Sequence, residues 1–458
     1  MLPSPLLAAS HEGRLSDVAG LISAGESDLN ESDEHGRTPI YLSGERGHLA
    51  VVRLLLASGA KVDQADENLC TPLNASSYSG QREVVKLLLA EGAKVDQADD
   101  LGFTPLSESS NCGHHEVVEL LLANGAKVDH AANDGETSLF MSSLQGHHEV
   151  VKLLLANEAD VDKANNRGVT PLLLSSQNGY QEVVKLLLAN GAKVNQANND
   201  GETPLFLSSQ NGRQEVVRLL LASGATVDQA DNDGATPLHV SSEHGHHGVV
   251  RLLLESGADQ DKPGRDDGDT PIHAASQCGH QEVVKLLLAS GADVNQVDDY
   301  GNTPLFMSSQ EKGNEEMAKL LLAKGAKVDQ ASNDGVTPLI ASSELGREEV
   351  VKLLLANGAD VYQADNVGNT PLLTSRNNGH PEVTKLLLAC ITTIRRFTSL
   401  FAIRQVRLHP PVAPPSQLLS LLANNTPDDL VREILEFMGA AAECEVDDHN
   451  EKRKREGT

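Results

Sequence analysis

Two residue patterns in this 458-residue chain are of the types that carry chemistry. Paired serines stand at Ser76-Ser77, Ser109-Ser110, Ser142-Ser143, Ser175-Ser176, Ser208-Ser209, Ser241-Ser242, Ser308-Ser309 and Ser342-Ser343, and paired histidines at His114-His115, His147-His148 and His246-His247. A serine beside a histidine and a carboxylate performs acyl transfer, and clustered imidazoles hold zinc at about 2 Å per ligand. Both chemistries need a constellation used once, whereas these pairs return at a fixed interval. The chain contains no phosphate-cradling glycine loop, no GxSxG and no HExxH. The sequence therefore assigns no catalytic residue, no metal ligand and no cofactor, and a small-molecule site or enzyme is motivated only by the serines and histidines themselves.

The interval leads back to the elements that must position them. Thr-Pro-Leu or Thr-Pro-Ile recurs at Thr38, Thr71, Thr104, Thr170, Thr203, Thr236, Thr270, Thr303, Thr337 and Thr370, with Thr-Ser-Leu at Thr137, in steps of 33 residues stretched twice to 34. The segments that begin at Gly168 and Gly201 agree at 25 of 33 positions, so the chain is built from copies of one unit. In the unit from Gly201, Thr203 is placed to cap a helix and Pro204 to open it, since the first turn has no use for the missing N–H. That helix should stop near Asn211-Gly212. A second, antiparallel helix follows over QEVVRLLLAS to Gly224, and ATVDQADNDGE then projects as a polar finger. Glu182 with Lys185 and Glu282 with Lys285 have the spacing of supporting ion pairs.

This unit resembles the ankyrin repeat, and the resemblance covers about residues 4–390 as twelve units. The first, 4–36, matches as a degenerate N-terminal cap with Ser4 in the threonine slot and Gly13 and Gly25 in the glycine slots. The resemblance implies an all-α solenoid of stacked helix-turn-helix units with projecting finger loops. It also places the serine pair on the family's Ala-Ala, where neighbouring helices come too close for large side chains. Ser208 and Ser209 should return hydrogen bonds to the carbonyls four residues back, Pro204 and Leu205. The family's histidine after Thr-Pro-Leu is kept only at His239 and His273, so the side-chain network it builds is not expected in the other units. The paired histidines read as solvated turn residues, because a whole stacking step separates one pair from the next. Two inserted residues, in the finger DQDKPGRDDGDT and at the helix turn SSQEKGNEE, should alter stacking locally.

The bulk numbers narrow the function. The formal net charge is −28 with no Trp, 5 Tyr and 7 Phe. This charge argues against nucleic-acid binding, which needs Lys and Arg against phosphate, and electrostatics favours a basic protein partner. Five cysteines at irregular spacing, with no CxxC, suit a reducing compartment. No 18 apolar residues run together, so neither a membrane nor a secretory route is expected and the cytoplasm is. The resemblance implies a non-catalytic scaffold that binds protein through fingers and first helices. On that surface most units carry Asn, Asp, Gln or Glu, and the departures Tyr78, Leu101, Phe103, Leu144, Arg167, Tyr300 and Leu345 are the candidate partner-binding residues.

Beyond 390 the pattern changes. Residues 391–439 read as a helical C-terminal segment that either caps the array or recruits another protein, and 440–458 as a charged disordered tail. Apolar spacing continues at Ile391, Ile394, Phe397 and Phe401, and no acid occurs from Ile391 to Pro427. After HPPVAPP, Thr426 reads as a helix cap, with Leu430, Ile434, Leu435 and Met438 on one face and Gly439 as the stop. This stretch resembles the opening of an F-box. Its place after the array, with Ser399-Leu400 at a helix start, is also similar to a SOCS box. Either would make the chain the substrate receptor of a ubiquitin ligase, engaging a ligase adaptor through its C-terminal helices. The run Lys452–Arg455 has the composition of a nuclear signal.

Overall fold

The computed structural model describes residues 4–25, 28–264, 267–312 and 314–405, with side chains as far as residue 396. The expected helix at 426–439, the charged tail and the Lys452–Arg455 run lie outside the described residues.

Most of the threonines start a helix by supplying an acceptor that the first turn lacks. Thr203 is extended, its Oγ1 accepts from the Phe206 N–H at 3.1 Å, and Pro204 opens a helix that runs Pro204–Gln210. The first repeat follows the same rule, with the Ser4 side chain accepting from the Leu7 N–H ahead of Pro5–His11. The Asn211 side chain then donates to the Leu207 carbonyl at 2.8 Å. Gly212, at φ +67°, reverses the chain into a second helix, Gln214–Ala222, which buries Val216, Val217 and Leu220. Among the described residues this pairing gives twenty-four helices and no strand. The last helix, Pro381–Gln405, runs on through the boundary expected at 390 and carries Ser399 and Leu400 in its interior, not at a start.

The chain divides into two compact bodies. One holds the residues up to Pro237 with Arg251–Ala258, and the other Leu238–Val250 with the residues from Asp259 on. In the first body, first helices from Pro5–His11 to Pro204–Gln210 pack side by side in chain order, and the second helices form a row behind them. In the second body the helices Pro271–Gln277, Pro304–Gln310, Pro338–Glu344 and Pro371–Asn377 do the same. A single repeat has one apolar side and no core of its own, so each neighbour supplies the other half. Leu73, Leu106, Leu238 and Leu305, which follow the Thr-Pro, are fully buried in these contacts.

The serine pair corrects the expectation. Ser109 does reach four residues back, to the Pro105 carbonyl at 2.9 Å, but Ser208 donates three back, to Leu205 at 3.1 Å. The second serines Ser77, Ser110, Ser143, Ser176, Ser209, Ser242 and Ser343 are fully buried and their hydroxyls make no hydrogen bond, whereas that of Ser309 reaches the Leu305 carbonyl at 2.6 Å. In that repeat Ser308 bonds the same Leu305 carbonyl at 2.9 Å, so the backbone alone does not deny the second hydroxyl a partner. A buried, unpartnered hydroxyl costs about 1–3 kcal/mol, so at these seven second positions serine serves by its size alone.

The paired histidines are likewise more than solvated turn residues. The second of each pair, His115, His148 and His247, is exposed. The first stands just ahead of a second helix and fastens it to the preceding repeat: His114 Nε2 donates to the Tyr78 carbonyl at 2.9 Å and His147 Nε2 to the Asn111 carbonyl at 3.0 Å. Gln81, Arg213, Asn314, Arg347 and His380 make the equivalent bond to Glu45, Gln177, Gln277, Gln310 and Glu344. At Asn314 the fastener survives the residue inserted in that helix turn. Room for it comes from the glycine that ends the preceding first helix. Gly113 has φ +76°, and a Cβ there would lie 2.7–2.9 Å from the His147 ring. The glycine is required twice over, for its backbone conformation and for the approach of the next repeat.

Two slots held elsewhere by left-handed glycines contain Leu69 at φ +62° and Glu158 at φ +65°. Left-handed backbone costs a side-chain-bearing residue about 1–2 kcal/mol, which glycine's own entropy partly cancels. Glu158→Gly should therefore raise stability by about 0.5–1 kcal/mol. Ser209→Ala, which removes an unpartnered hydroxyl, should raise it by about 1 kcal/mol, while Ser208→Ala, which removes a made bond, should give no gain. The urea midpoints of the three variants check these signs.

Candidate functional site

The fingers are built from the backbone outward. Near the start of most fingers' return, an Asp or Asn side chain closes a turn over the next residues, with Ala132, Gly264 and Ser332 as the departures. Asp99 Oδ1 accepts from the Leu101 and Phe103 N–H groups at 3.1 and 2.7 Å, and Asp298 Oδ1 from Tyr300 and Asn302 at 2.9 and 2.7 Å. The fingertip carbonyl is then taken by the next finger. In the first body Asn133 N donates to Leu101 O, Asn166 N to Asp134 O, Asn199 N to Arg167 O and Asn232 N to Asp200 O, all at 2.9–3.0 Å. An asparagine ladder runs alongside, with the Asn133, Asn166, Asn199 and Asn232 side chains each donating to the carbonyl one repeat back. The second body repeats the motif, with Asn333 N on Tyr300 O at 2.8 Å and the Asn366 side chain on Asn333 O at 2.9 Å.

At Leu101, Arg167, Asp200 and Tyr300 the residue three before the threonine is held at both its N–H and its carbonyl, and its side chain is left to vary. Leu101 (58% exposed), Arg167 and Tyr300 (62%) occupy that slot, among the exposed carboxylates of Asp134, Asp200, Asp233 and Asp334. Val367, 83% exposed, belongs to the same set and was not singled out from the sequence. Its register, three residues before Thr370, was the available signal. The remaining candidates sit elsewhere. Tyr78 and Leu144 follow the small pair, Tyr78 exposed and Leu144 half-buried, and Leu345 lies one residue further on and is exposed. Phe103 is half-buried and its carbonyl accepts from the Asn74 side chain, which makes it partly structural. Tyr78, Leu101, Phe103, Leu144 and Arg167 belong to the first body, and Tyr300 and Leu345 to the second.

Beneath the fingers the side-chain network expected only at the two histidines has a substitute. His273 Nε2 donates to the Gln296 and Asn302 carbonyls at 3.0 and 3.1 Å, while its Nδ1 faces the Thr270 hydroxyl at 2.8 Å. Asn74 does the same work, accepting from the Thr71 N–H at 3.1 Å and donating to Gln97 and Phe103 carbonyls. At Leu173 and Phe206 the slot is apolar and fully or nearly fully buried.

Reactive groups are otherwise quiet. Burial pushes the Cys70 thiol up to about 12 and the Cys390 thiol to about 11, so both are protonated near neutrality. No disulfide joins the described cysteines. Among the described residues no group of three or more His, Cys, Asp or Glu is disposed to hold a metal, and no helix is long and apolar enough to cross a membrane. An open hollow of about 700 Å³ beside the inserted helix turn is lined by Glu243, Glu311, Lys312 and Glu316.

A family model described as "Ankyrin repeats (3 copies)" matches in overlapping stretches from residue 6 to 397. The chain is an ankyrin-repeat protein. Beyond the family, this ankyrin array is 30% identical to the human ASB11 ankyrin repeat domain in a crystal structure, with 49% of this chain and 99% of that one covered at a TM-score of 0.45. It is also 41% identical over 59 residues to the mouse (Mus musculus) 60 kDa lysophospholipase, a match that spans 13% of this chain and 10% of that protein. The ligase-receptor reading draws on residues 391–439, of which 406–439 lie outside the described residues.

The His273 network sets a pH dependence. Burial holds this imidazole below its ordinary value of 6.5, against the pull of Asp269 and Asp298. The unfolded chain then takes up a proton near 6.5 that the folded chain declines. The stabilising contribution is present above that pH and is lost as pH falls toward the lowered folded value. Wild type should lose up to about 1.4 kcal/mol per pH unit more than His273→Asn in this window. Urea unfolding of both proteins at pH 7.5 and 5.5 measures the difference.

Proposed function

We propose that the chain is a non-catalytic scaffold that binds a basic protein segment across its fingertips and the turns after its small pairs. The observation that carries this reading is the fingertip rail. It fixes Leu101 and Tyr300 by hydrogen bonds at both backbone groups while their side chains remain mostly exposed between carboxylates. Apolar side chains that are already ordered lose little entropy on binding, so they favour affinity more than the same residues on a mobile loop. The surrounding aspartates, on a chain of net charge −28, select cationic partners and speed encounter more than they tighten the bound state. Protein binding is the family's general property; the polarity of the partner and the anchoring residues are the specific content here.

A peptide-display selection with the full chain as bait tests this. Enriched sequences should be rich in Lys and Arg with one or two apolar positions. Tyr78→Ala with Leu101→Ala, or Tyr300→Ala for ligands of the second body, should weaken binding by about 10- to 30-fold, mostly through faster dissociation. Replacing Asp134, Asp200 and Asp233 by Asn should slow association and flatten its salt dependence. Selected ligands without basic bias, or binding indifferent to these changes, would overturn the proposal.

A further inference from the structure

The last repeat ends on an apolar face that the described residues leave open. In the repeats before it, the residue three after the threonine is buried by the following repeat, as with Phe306 and Ile340 at 5% and 2% exposed, but Leu373 in this slot is 43% exposed. Leu372 is half-buried where Leu305 and Leu339 are fully buried, and Leu388 on the final helix is exposed. The slot of the buried Ser309 and Ser343 is filled by Arg376, which is exposed. Arg376, His380 and Lys385 line an open hollow of about 400 Å³ beside this face, and Arg395 and Arg396 are exposed further along the helix. The open face is thus apolar at its centre with Arg376, Arg395 and Arg396 at its edge, Lys385 being paired with Glu382 at 2.7 Å, on a chain whose overall charge is strongly acidic.

We propose that residues 427–438 of this same chain pack across that face as an intramolecular cap. Their sequence has the complementary make-up: Leu430, Ile434, Leu435 and Met438 at helical spacing, with Asp428, Asp429, Glu433 and Glu436 around them. The chain can reach. From Leu388 to the end of the described helix at Gln405 is about 25 Å at 1.5 Å per residue. Residues 406–426, with prolines at 410, 411, 414 and 415, can span up to about 70 Å. The cap occupies the apolar residues that the sequence likens to an adaptor-binding helix, so a partner that engages them must first displace it.

The test uses the full chain. A photocrosslinking p-benzoylphenylalanine in place of Leu373 should join to the peptide that contains 427–438 of the same molecule, and Leu430→Asp with Ile434→Asp should abolish that product. The same double variant, which lies outside the repeats and leaves them folded, should speed amide hydrogen exchange at least about 10-fold over residues 371–391 and leave 38–336 unchanged. Crosslinks that form covalent dimers, crosslinks to other segments, or exchange unaffected by the double variant would each overturn the proposal.

Discussion

A hydrogen bond between neighbouring repeats governs how closely they can stand. In most repeats a donor placed just ahead of the second helix, His147 for instance, reaches a carbonyl at the end of the preceding first helix, here Asn111, while Tyr180 fills this slot without such a bond. That reach is possible only where the intervening residue has no side chain, as at Gly113. Once the approach is set, the first helices lie so near one another that only small residues fit between them, and the second serine of each pair is buried without a partner. A side chain larger than serine at that position would push the repeats apart and break the fastener, the core contacts and the finger ladder together, whereas alanine would fit without the unpartnered hydroxyl.

The same spacing makes the fingers into a rail. Fingertip carbonyls and N–H groups of successive repeats meet at 2.9–3.1 Å in the first body because the helices beneath them hold one separation. A rail of this kind separates two tasks that compete in ordinary loops. The backbone carries the rigidity, so the side chain at the tip is free to be Leu101, Asp134, Arg167 or Tyr300 without loss of order. Variation confined to such a slot is what a binding surface needs. The Asp-rich background supplies long-range attraction and the few apolar tips supply the contacts that hold.

Much of this was legible in the sequence because each local signal has one structural meaning. Thr-Pro gave the helix starts, Asn-Gly and Gly the reversals, and the Glu182–Lys185 and Glu282–Lys285 pairs form at 2.7 and 2.6 Å as their spacing implies. What could not be read were choices made between repeats. Whether Ser209 finds the Leu205 carbonyl depends on rotamer and neighbour, not on its place in the repeat, as Ser309 shows by making the bond that Ser209 lacks. The fastening role of His114 and His147 was hidden for the same reason, since His, Gln, Arg and Asn all serve and share only a donor of sufficient length. Val367 was passed over although its register matched Leu101 and Tyr300, because valine is unremarkable until its exposure is known.

The claim on which the rest stands is that stability and order pass between repeats through these fasteners. Amide hydrogen exchange across the full chain of His147→Ala tests it most directly. Loss of the donor should raise exchange in both helices of the repeats that open at Thr104 and Thr137, with the effect fading in repeats further away. Faster exchange confined to the repeat that carries the substitution, or none at all, would contradict the account.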